Sequence, residues 1–349
     1  MTAPIKLSIC IPTLNRGRFI GETLNSIVEQ LNDHIEVVIV DGGSTDSTAE
    51  VVGGYVSRFP HIRYVKSQLS GSTPPNQGFD RDCNFAVELA RGMYCWLMTD
   101  DDLLKEGAVA AVLKRLASNP DVVVVNAESR NVDLSRVLKM QLCSIENDRF
   151  FAANQADELF ACAGQYLTFV GGVVVRRDVW QDRDRQTYFG SLFIHVGTLF
   201  QRPLTGTSIV IAEPLIVVRY GNAMWTTRGF EIWMFKWPGL VWSLPALTDS
   251  TRELVTPREP WRDVRQLLRY RATGGYSWAA FRHLLARRGS LSYRLTAGAV
   301  ALIPGGLANA MMTAYLSMQR EPDQMLRYDL LRSAKTWHLT RLLFGGSHE

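Results

Sequence analysis

The chain has 349 residues, 46% hydrophobic and 21% charged. That is long enough for one large domain with an appendage or for two domains, and apolar enough to exclude wholesale disorder. The net charge of +4 hides an asymmetry: residues 1–218 carry 20 Lys+Arg against 25 Asp+Glu (−5), and residues 219–349 carry 18 against 9 (+9).

In chain order, LSICI (7–11) reads as a short buried strand ended by Pro12. Phe19, Ile20, Leu24, Ile27, Val28 and Leu31 recur at helical spacing. IEVVIV (35–40) is a β-branched buried strand that stops at DGGSTD, a turn whose Ser44 or Thr45 can cap the next helix. IRYVK (62–66) predicts a third strand, 81–91 a helix and MYCWLM (93–98) a fourth strand, which runs into Asp100-Asp101-Asp102. A helix over about 106–118 and a strand at DVVVVN (121–126) follow.

This alternation predicts an α/β fold with a mostly parallel central sheet flanked by helices. Ligands of such sheets sit at the carboxyl ends of the strands. PTLNR, DGGSTD and TDDD all fall there, after strands one, two and four. Beyond residue 130 strands are expected at YLTFVGGVVV (166–175) and SIVIAEPLIVVRY (208–220). Beyond 228 the chain reads as helical, basic and aromatic, with seven of the nine tryptophans after residue 219. No period of 20–50 residues repeats.

The five cysteines are odd in number and form no C-x-x-C, which reads as reduced core thiols and fits a cytosolic compartment. The N-terminus shows no signal region. LTAGAVALIPGGLANAMMTAYL (295–316) is 22 residues without a charge, long enough to cross a bilayer. The IPGG at its middle breaks a helix. A broken helical pair at the membrane surface, or packed on the domain, is the preferred reading over a span.

Three motifs in order, SICIPTLNRGRFIGETLNSI, VVIVDGGSTDST and NFAVELARGMYCWLMTDDD, resemble a family 2 glycosyltransferase of the GT-A fold over about residues 6–126. GFDRDCNFAVELARG and VVRYGNAMWTTRGFEIW are similar to bacterial O-antigen sugar transferases of the abequosyltransferase type. The resemblance implies a GT-A catalytic domain over 1–225, with a nucleotide-sugar half (1–126) and an acceptor half (127–225). A helical Trp/Arg-rich region that meets membrane or acceptor follows at 226–349. It implies an inverting transfer of a (deoxy)hexose to a polyprenyl-diphosphate-linked saccharide in cell-surface polysaccharide synthesis, at the inner face of the cell membrane.

A nucleotide-sugar carries two phosphates, and a divalent cation held by carboxylates neutralises them as the diphosphate leaves. By the resemblance, Asp101 binds Mg2+ or Mn2+, Asp100 meets the ribose, and Asp102 is either a second ligand or a helix cap. Asp41 accepts from the nucleotide base, and Pro12, Thr13 and Asn15 line its pocket. At 80–84 the chain departs from the family's Ala-Arg-Asn run: Asn84 is kept, Cys83 stands where arginine often touches phosphate, Arg81 could substitute, and Asp82 could face the donor sugar.

Inverting relatives use a carboxylate base in the window that here reads TYFGSLFIHVGTLFQRP (187–203), which holds no acid. His195 has a suitable pKa for the role. Readings of His195 as a ligand or a core histidine stay open, as do the substitutes Asp182 and Asp184. Arg219, Asn222, Trp225 and Arg228 suit a sugar–phosphate acceptor, guanidinium to phosphate and indole to a sugar face. The motifs of dehydrogenases, P-loop NTPases and zinc hydrolases are missing. A nucleic-acid partner would explain the basic third but not the acidic edge, so none is expected. A catalytically inactive precursor-binding relative stays open, as does homo-oligomerisation.

Overall fold

The computed structural model describes residues 4–67, 78–223 and 228–337. It divides into two compact units: one comprises the chain to residue 219 with 240–255, the other comprises 220–239 with the chain from 256. The break thus falls at Arg219/Tyr220 rather than at 225/226, and residues 240–255 return to the first unit.

The first unit is built on one ten-stranded sheet. Its strands are β1 (Leu7–Thr13), β2 (Ile35–Asp41), β3 (Ile62–Lys66), β4 (Tyr94–Leu97), β5 (Leu103–Leu104), β6 (Val122–Arg130), β7 (Val137–Lys139), β8 (Arg149–Phe151), β9 (Val173–Arg176) and β10 (Ser208–Arg219). The helices between them are α1 (Ile20–Val28), α2 (Thr48–Val56), α3 (Phe79–Leu89), α4 (Ala108–Leu116), α5 (Ala156–Ala163), α6 (Arg177–Gln181) and α7 (Ile194–Phe200). The main path runs β3-β2-β1-β4-β9-β6-β10-β5.

β1 and β2 are buried at every position, as strands covered on both faces must be. They pair in parallel from Leu7↔Ile35 to Thr13↔Asp41, and β4 pairs in parallel on the other side of β1. This register aligns the carboxyl ends of β1 and β2, so Thr13 and Asp41 lie side by side.

The sheet is parallel through its first four strands and mixed after them, because β9 inserts antiparallel between β4 and β6. The expected strand over 166–175 is mostly absent. Tyr166–Thr168 and Val170–Gly172 form 3-10 turns, and only Val173–Arg176 is extended. The Tyr166 hydroxyl donates to the Val125 carbonyl at 2.5 Å. A Cβ on Gly171 would lie 2.4 Å from the Phe169 ring, and one on Gly172 2.7 Å from the Tyr166 hydroxyl. These turns fold back onto their own aromatic rings, a long-range outcome that strand-like composition does not reveal.

The second unit is helical and has two apolar clusters. One gathers Phe230, Trp261, Leu267, Tyr276, Phe281 and Leu285, the other Ala272, Ala308, Leu316, Leu326 and Leu330. Its tryptophans divide: Trp237 and Trp261 are buried, while Trp278 and Trp337 are 44% and 50% exposed. The uncharged stretch at 295–316 lies within two helices, Leu291–Leu302 and Gly305–Ser317, bent 94° to one another. Pro304 stands between them. Among the described residues, no single helix is long and apolar enough to cross a membrane.

All five cysteines are free thiols, four of them buried.

Candidate functional site

Two loops, after β1 and after β2, are tied into one wall. Asn15 sits in the left-handed region (φ 53°), its backbone N–H donates to Ser44 Oγ at 2.8 Å, and its Oδ1 accepts from Thr45 N at 2.8 Å. Asp46 accepts from Gly17 N at 3.0 Å, and Thr48 Oγ1 accepts from Arg16 N at 2.8 Å. The loops touch so closely that a Cβ on Gly17 would lie 2.3 Å from Ser47 Oγ. Asn15 is therefore a loop-forming residue. Pro12 and Thr13 are buried at the end of β1.

Asp41 ends β2 fully buried. Its Oδ1 accepts from Gly43 N (3.0 Å) and Ser44 N (2.7 Å), and its Oδ2 accepts from the Tyr64 hydroxyl. The neighbouring carboxylate is Asp82 on α3, 4% exposed. A Cβ on Gly42 would meet Asp82 Oδ2 at 2.6 Å. Asp82 Oδ1 has no hydrogen-bond partner among the described residues. Burial pushes the Asp82 carboxyl up to about 6, the Ser67 hydroxyl opposes the rise, and the charge of Asp41 adds to it.

The three consecutive aspartates separate by role. Arg16 lies between the first two, with its Nε 3.4 Å from Asp100 Oδ1 and its Nη2 3.4 Å from Asp101 Oδ2. Burial and the Asp101 charge raise Asp100 to about 7, against the lowering effects of Arg16 and the Thr13 hydroxyl. Asp102 is committed to the scaffold. Its Oδ1 accepts from Arg219 N at 2.7 Å and its Oδ2 from the Thr99 hydroxyl. Burial, reinforced by Asp101, raises its pKa well above the usual carboxylate range. Of the two sequence readings for Asp102, ligand or cap, the structure favours a fastening residue that joins the aspartate turn to the end of β10.

Arg219 also departs from expectation. Its Nε donates to the Asp101 carbonyl (2.9 Å), its Nη1 to the Val132 carbonyl (2.8 Å) and its Nη2 to Glu22 (2.7 Å), and its guanidinium lies 5.1 Å from the Phe19 ring centroid. With its side chain 3% exposed, it holds the aspartate turn from behind instead of facing an acceptor phosphate. Asn84 bonds Glu88 (2.7 Å) and the Trp180 indole (3.0 Å), both scaffold contacts. Arg81 is exposed and lies 4.5 Å over Phe189.

His195, the expected base, lies in the interior. It is 1% exposed, its Nε2 donates to the Leu167 carbonyl at 2.7 Å, and Nδ1, left as the lone-pair nitrogen, has no hydrogen-bond partner among the described residues. Burial lowers its pKa to about 4. A ring enclosed in this way cannot receive a proton from a substrate in the cleft. The substitutes fare no better. Asp182 pairs with Arg202 on the surface, and Asp184 accepts from Gln186 N (2.9 Å) and the Thr187 hydroxyl to form a turn. Asn222 and Arg228 belong to the second unit, where Arg228 lies 3.6 Å from Glu231. Trp225 lies outside the described residues.

Sequence reasoning missed two residues. Arg16 is one; its signal was a lone cation in PTLNR, on the same strand edge as the acids. The other is Asp80, 2% exposed. Its carboxylate accepts from Gly190 N (2.8 Å), Leu192 N (2.9 Å) and Ile194 N (3.2 Å). It thereby clamps the loop before α7, where Gly190 and Leu192 both have positive φ (85° and 73°). No local pattern shows that pairing, which spans more than a hundred residues.

Could a divalent cation fit here? A guanidinium already stands between Asp100 and Asp101, so the turn is built to face positive charge. Among the described residues, no group of three or more His, Cys, Asp or Glu side chains could hold a metal alone. The donor set fits a cation whose shell is completed by phosphate oxygens and water.

The glycosyl transferase family 2 model matches residues 8–180. Abequosyltransferase RfbV of Salmonella typhimurium is 28% identical over 237 residues, 64% of this chain and 69% of that protein. A chondroitin synthase of Escherichia coli is 30% identical over 127 residues, 36% of this chain but only 18% of that enzyme. Among solved structures, S. aureus TarS 1–349 in complex with UDP aligns with a TM-score of 0.54 at 15% identity, covering 93% of this chain and 90% of that one. The mannosyltransferase PcManGT from Pyrobaculum calidifontis, with GDP-Man and Mn2+, aligns with a TM-score of 0.52 at 15% identity over 99% and 90%. At that identity the structural likeness establishes the GT-A-type fold alone.

Proposed function

From a chain that residues 8–180 make a family 2 glycosyltransferase, we propose a metal-dependent, inverting enzyme. It moves a (deoxy)hexose from a nucleotide-sugar to a polyprenyl-diphosphate-linked saccharide in O-antigen-type polysaccharide synthesis. The observation that carries this is the buried Asp100–Asp101 pair with Arg16 between them, on the strand edge where the loops after β1 and β2 form a wall.

The nucleoside lies against that wall, with Asp41 fixing the loop after β2. Asp82, whose Oδ1 has no hydrogen-bond partner among the described residues, accepts a hydrogen bond from the nucleoside. Asp100 takes the ribose hydroxyls. Asp101 would hold Mg2+ or Mn2+, and the ion would supply charge neutralisation for the departing diphosphate. Arg219 and Asp102 keep the turn in place, so those carboxylates need not reorganise during the reaction. The acceptor oxygen bonds to the anomeric carbon as the sugar–phosphate bond breaks, the nucleoside diphosphate leaves with the bonding pair, and the acceptor's proton passes to solvent water. Asp80 orders the loop before α7, inside the 187–203 window to which the resemblance pointed for a base. Asn222 and exposed Arg228 are the acceptor-contact candidates of the second unit, and Trp225 is the candidate outside the described residues.

The similarity to an abequosyltransferase and the basic second unit support the lipid-linked acceptor and a place at the inner face of the cell membrane. The test is a screen of nucleotide-sugars for nucleoside diphosphate release, with and without Mn2+, in the presence of a polyprenyl-diphosphate saccharide. Cation-dependent release with one donor is the expected result, and full activity in excess chelator would reject the metal. A second reading, an inactive precursor-binding relative, draws on the buried His195 and the acid-free 187–203 window. Tight nucleotide binding with no turnover on any donor would favour it.

A further inference from the structure

Soluble helices cover their exposed face with charge. The Leu291–Leu302 and Gly305–Ser317 helices do not. On the first arm, Leu291, Leu295 and Leu302 are 65%, 67% and 66% exposed. At 100° per residue these positions fall within about 40° of one another, so they form one stripe. On the second arm Leu307, Met311 and Tyr315 are 42%, 64% and 60% exposed and lie within about 80°, and Met318, just past the helix and 86% exposed, continues that line. The opposite faces pack inward: Ala297, Val300 and Ala301 join one core cluster, and Leu316 the other.

Along the sequence the charge from Val264 to Arg320 has one sign, with Glu259 near Tyr293 and Glu321 following beyond those bounds. From Val264 to Arg320 the chain contains eight arginines and no aspartate or glutamate. Arg282, Arg287, Arg288 and Arg320 are exposed. Trp278 is also exposed.

We propose that these two arms form a membrane-docking face that lies in the plane of an anionic lipid surface. The apolar stripes enter the headgroup–acyl boundary and the flanking arginines meet lipid phosphates. The arms have 12 and 13 residues, about 18 and 20 Å at 1.5 Å per residue, so neither crosses a hydrocarbon core of about 30 Å. Two arms at 94° can both lie flat on one surface. This deepens the reading of a lipid-linked acceptor, because it supplies the contact that brings the enzyme to its acceptor's bilayer.

The test is co-sedimentation of the full chain with phosphatidylcholine vesicles, with and without phosphatidylglycerol. Leu295→Glu and Met311→Glu probe one arm each. Both positions are exposed, and thermal unfolding of each variant verifies its fold. Wild type should bind the anionic vesicles, and each variant should lose about tenfold or more in partitioning. Nucleoside diphosphate binding in lipid-free buffer should be unchanged in both variants. Equal vesicle binding by wild type and variants would overturn the proposal, since it would leave only charge-driven adhesion. So would a shift in oligomeric state of the lipid-free variants by light scattering, which would make the face a contact between copies. Resistance of membrane-bound protein to alkaline carbonate extraction would overturn the in-plane arrangement. Wild type that binds nucleotide but no vesicles would remove the docking face and leave the transferase reading standing. Vesicle binding without nucleotide binding would do the reverse.

Discussion

The aspartate turn of the first unit and the bent helical arms of the second break the same rule in opposite ways. The turn buries like charges, and the arms expose apolar surface without charge. In the turn, the anomaly is contained: Arg16 lies between Asp100 and Asp101, and Asp102 is fastened to Thr99 and Arg219. On the arms it is left open, with leucines and methionines facing outward beside arginines that no acid follows in sequence from 264 to 320. A site prepared for a small ligand preorganises its own charges. A surface prepared for a large partner leaves its contacts unmade.

The largest effect that could break this comparison is at Asp101. Asp101→Asn should lower transfer by about a thousandfold and abolish Mn2+ binding in the presence of nucleoside diphosphate, while leaving the melting temperature equal or higher. Removing the middle one of three adjoining buried carboxylates relieves repulsion, so loss of activity together with retained stability is the mark of a functional group. A variant that unfolds instead would place Asp101 with the fasteners.

Asp80 should behave in the opposite way. Asp80→Ala takes the acceptor from three backbone N–H groups, of which that of Ile194 is buried and those of Gly190 and Leu192 part-buried, at about 1–3 kcal/mol for a buried group and less for the others. A stability loss of about 3–4 kcal/mol is expected in denaturant titration, together with a raised KM for acceptor and little change in donor binding. Loss of donor binding with unchanged acceptor KM would show that the loop before α7 serves the nucleotide half.

Much of this was legible in the sequence, and the limits have a physical cause. β1, β2, β3 and α4 announce themselves because continuous apolar runs and 3.6-residue periodicity are local signals, and the acidic edge follows from where such strands end. Nothing local marks His195 as interior, since FIHVG reads equally well as a cleft wall. Its partner, the Leu167 carbonyl, sits in a turn that composition had suggested was a strand. Arg219 was assigned to an acceptor because guanidinium suits phosphate, yet its three partners lie at positions 22, 101 and 132. Long-range pairing decides whether a polar residue builds a site or serves it.

His195 gives a pH test of the same distinction. Its folded pKa, about 4, lies below the usual value near 6.5, so the unfolded chain binds the extra proton between those limits. Its contribution is complete above about pH 6.5 and is lost as the pH falls towards 4, by about 3 kcal/mol in all. His195→Leu should flatten that acid limb of the stability curve and keep the pH profile of kcat. A kcat profile that loses an acidic limb with the histidine would restore it as the base.

The smallest effect, at Arg16, bears most directly on how the cleft differs from the arms. Its guanidinium is 3.4 Å from each of two carboxylates and its side chain is 12% exposed, so it screens a repulsion that would otherwise act in a poorly solvated turn. A divalent cation arriving at Asp101 meets that positive charge and must work against it. Arg16→Ala should therefore tighten Mn2+ binding in the absence of nucleotide by up to about tenfold, roughly 1.4 kcal/mol, by isothermal titration or electron paramagnetic resonance. The same variant should weaken the binding of nucleoside diphosphate without metal, because the arginine is then a cation directly beside the aspartates. Mn2+ binding that weakens in Arg16→Ala would mean that the guanidinium orders the carboxylates instead of competing for them. The turn would then resemble the Arg219 clamp behind it more than a place kept ready for a cation.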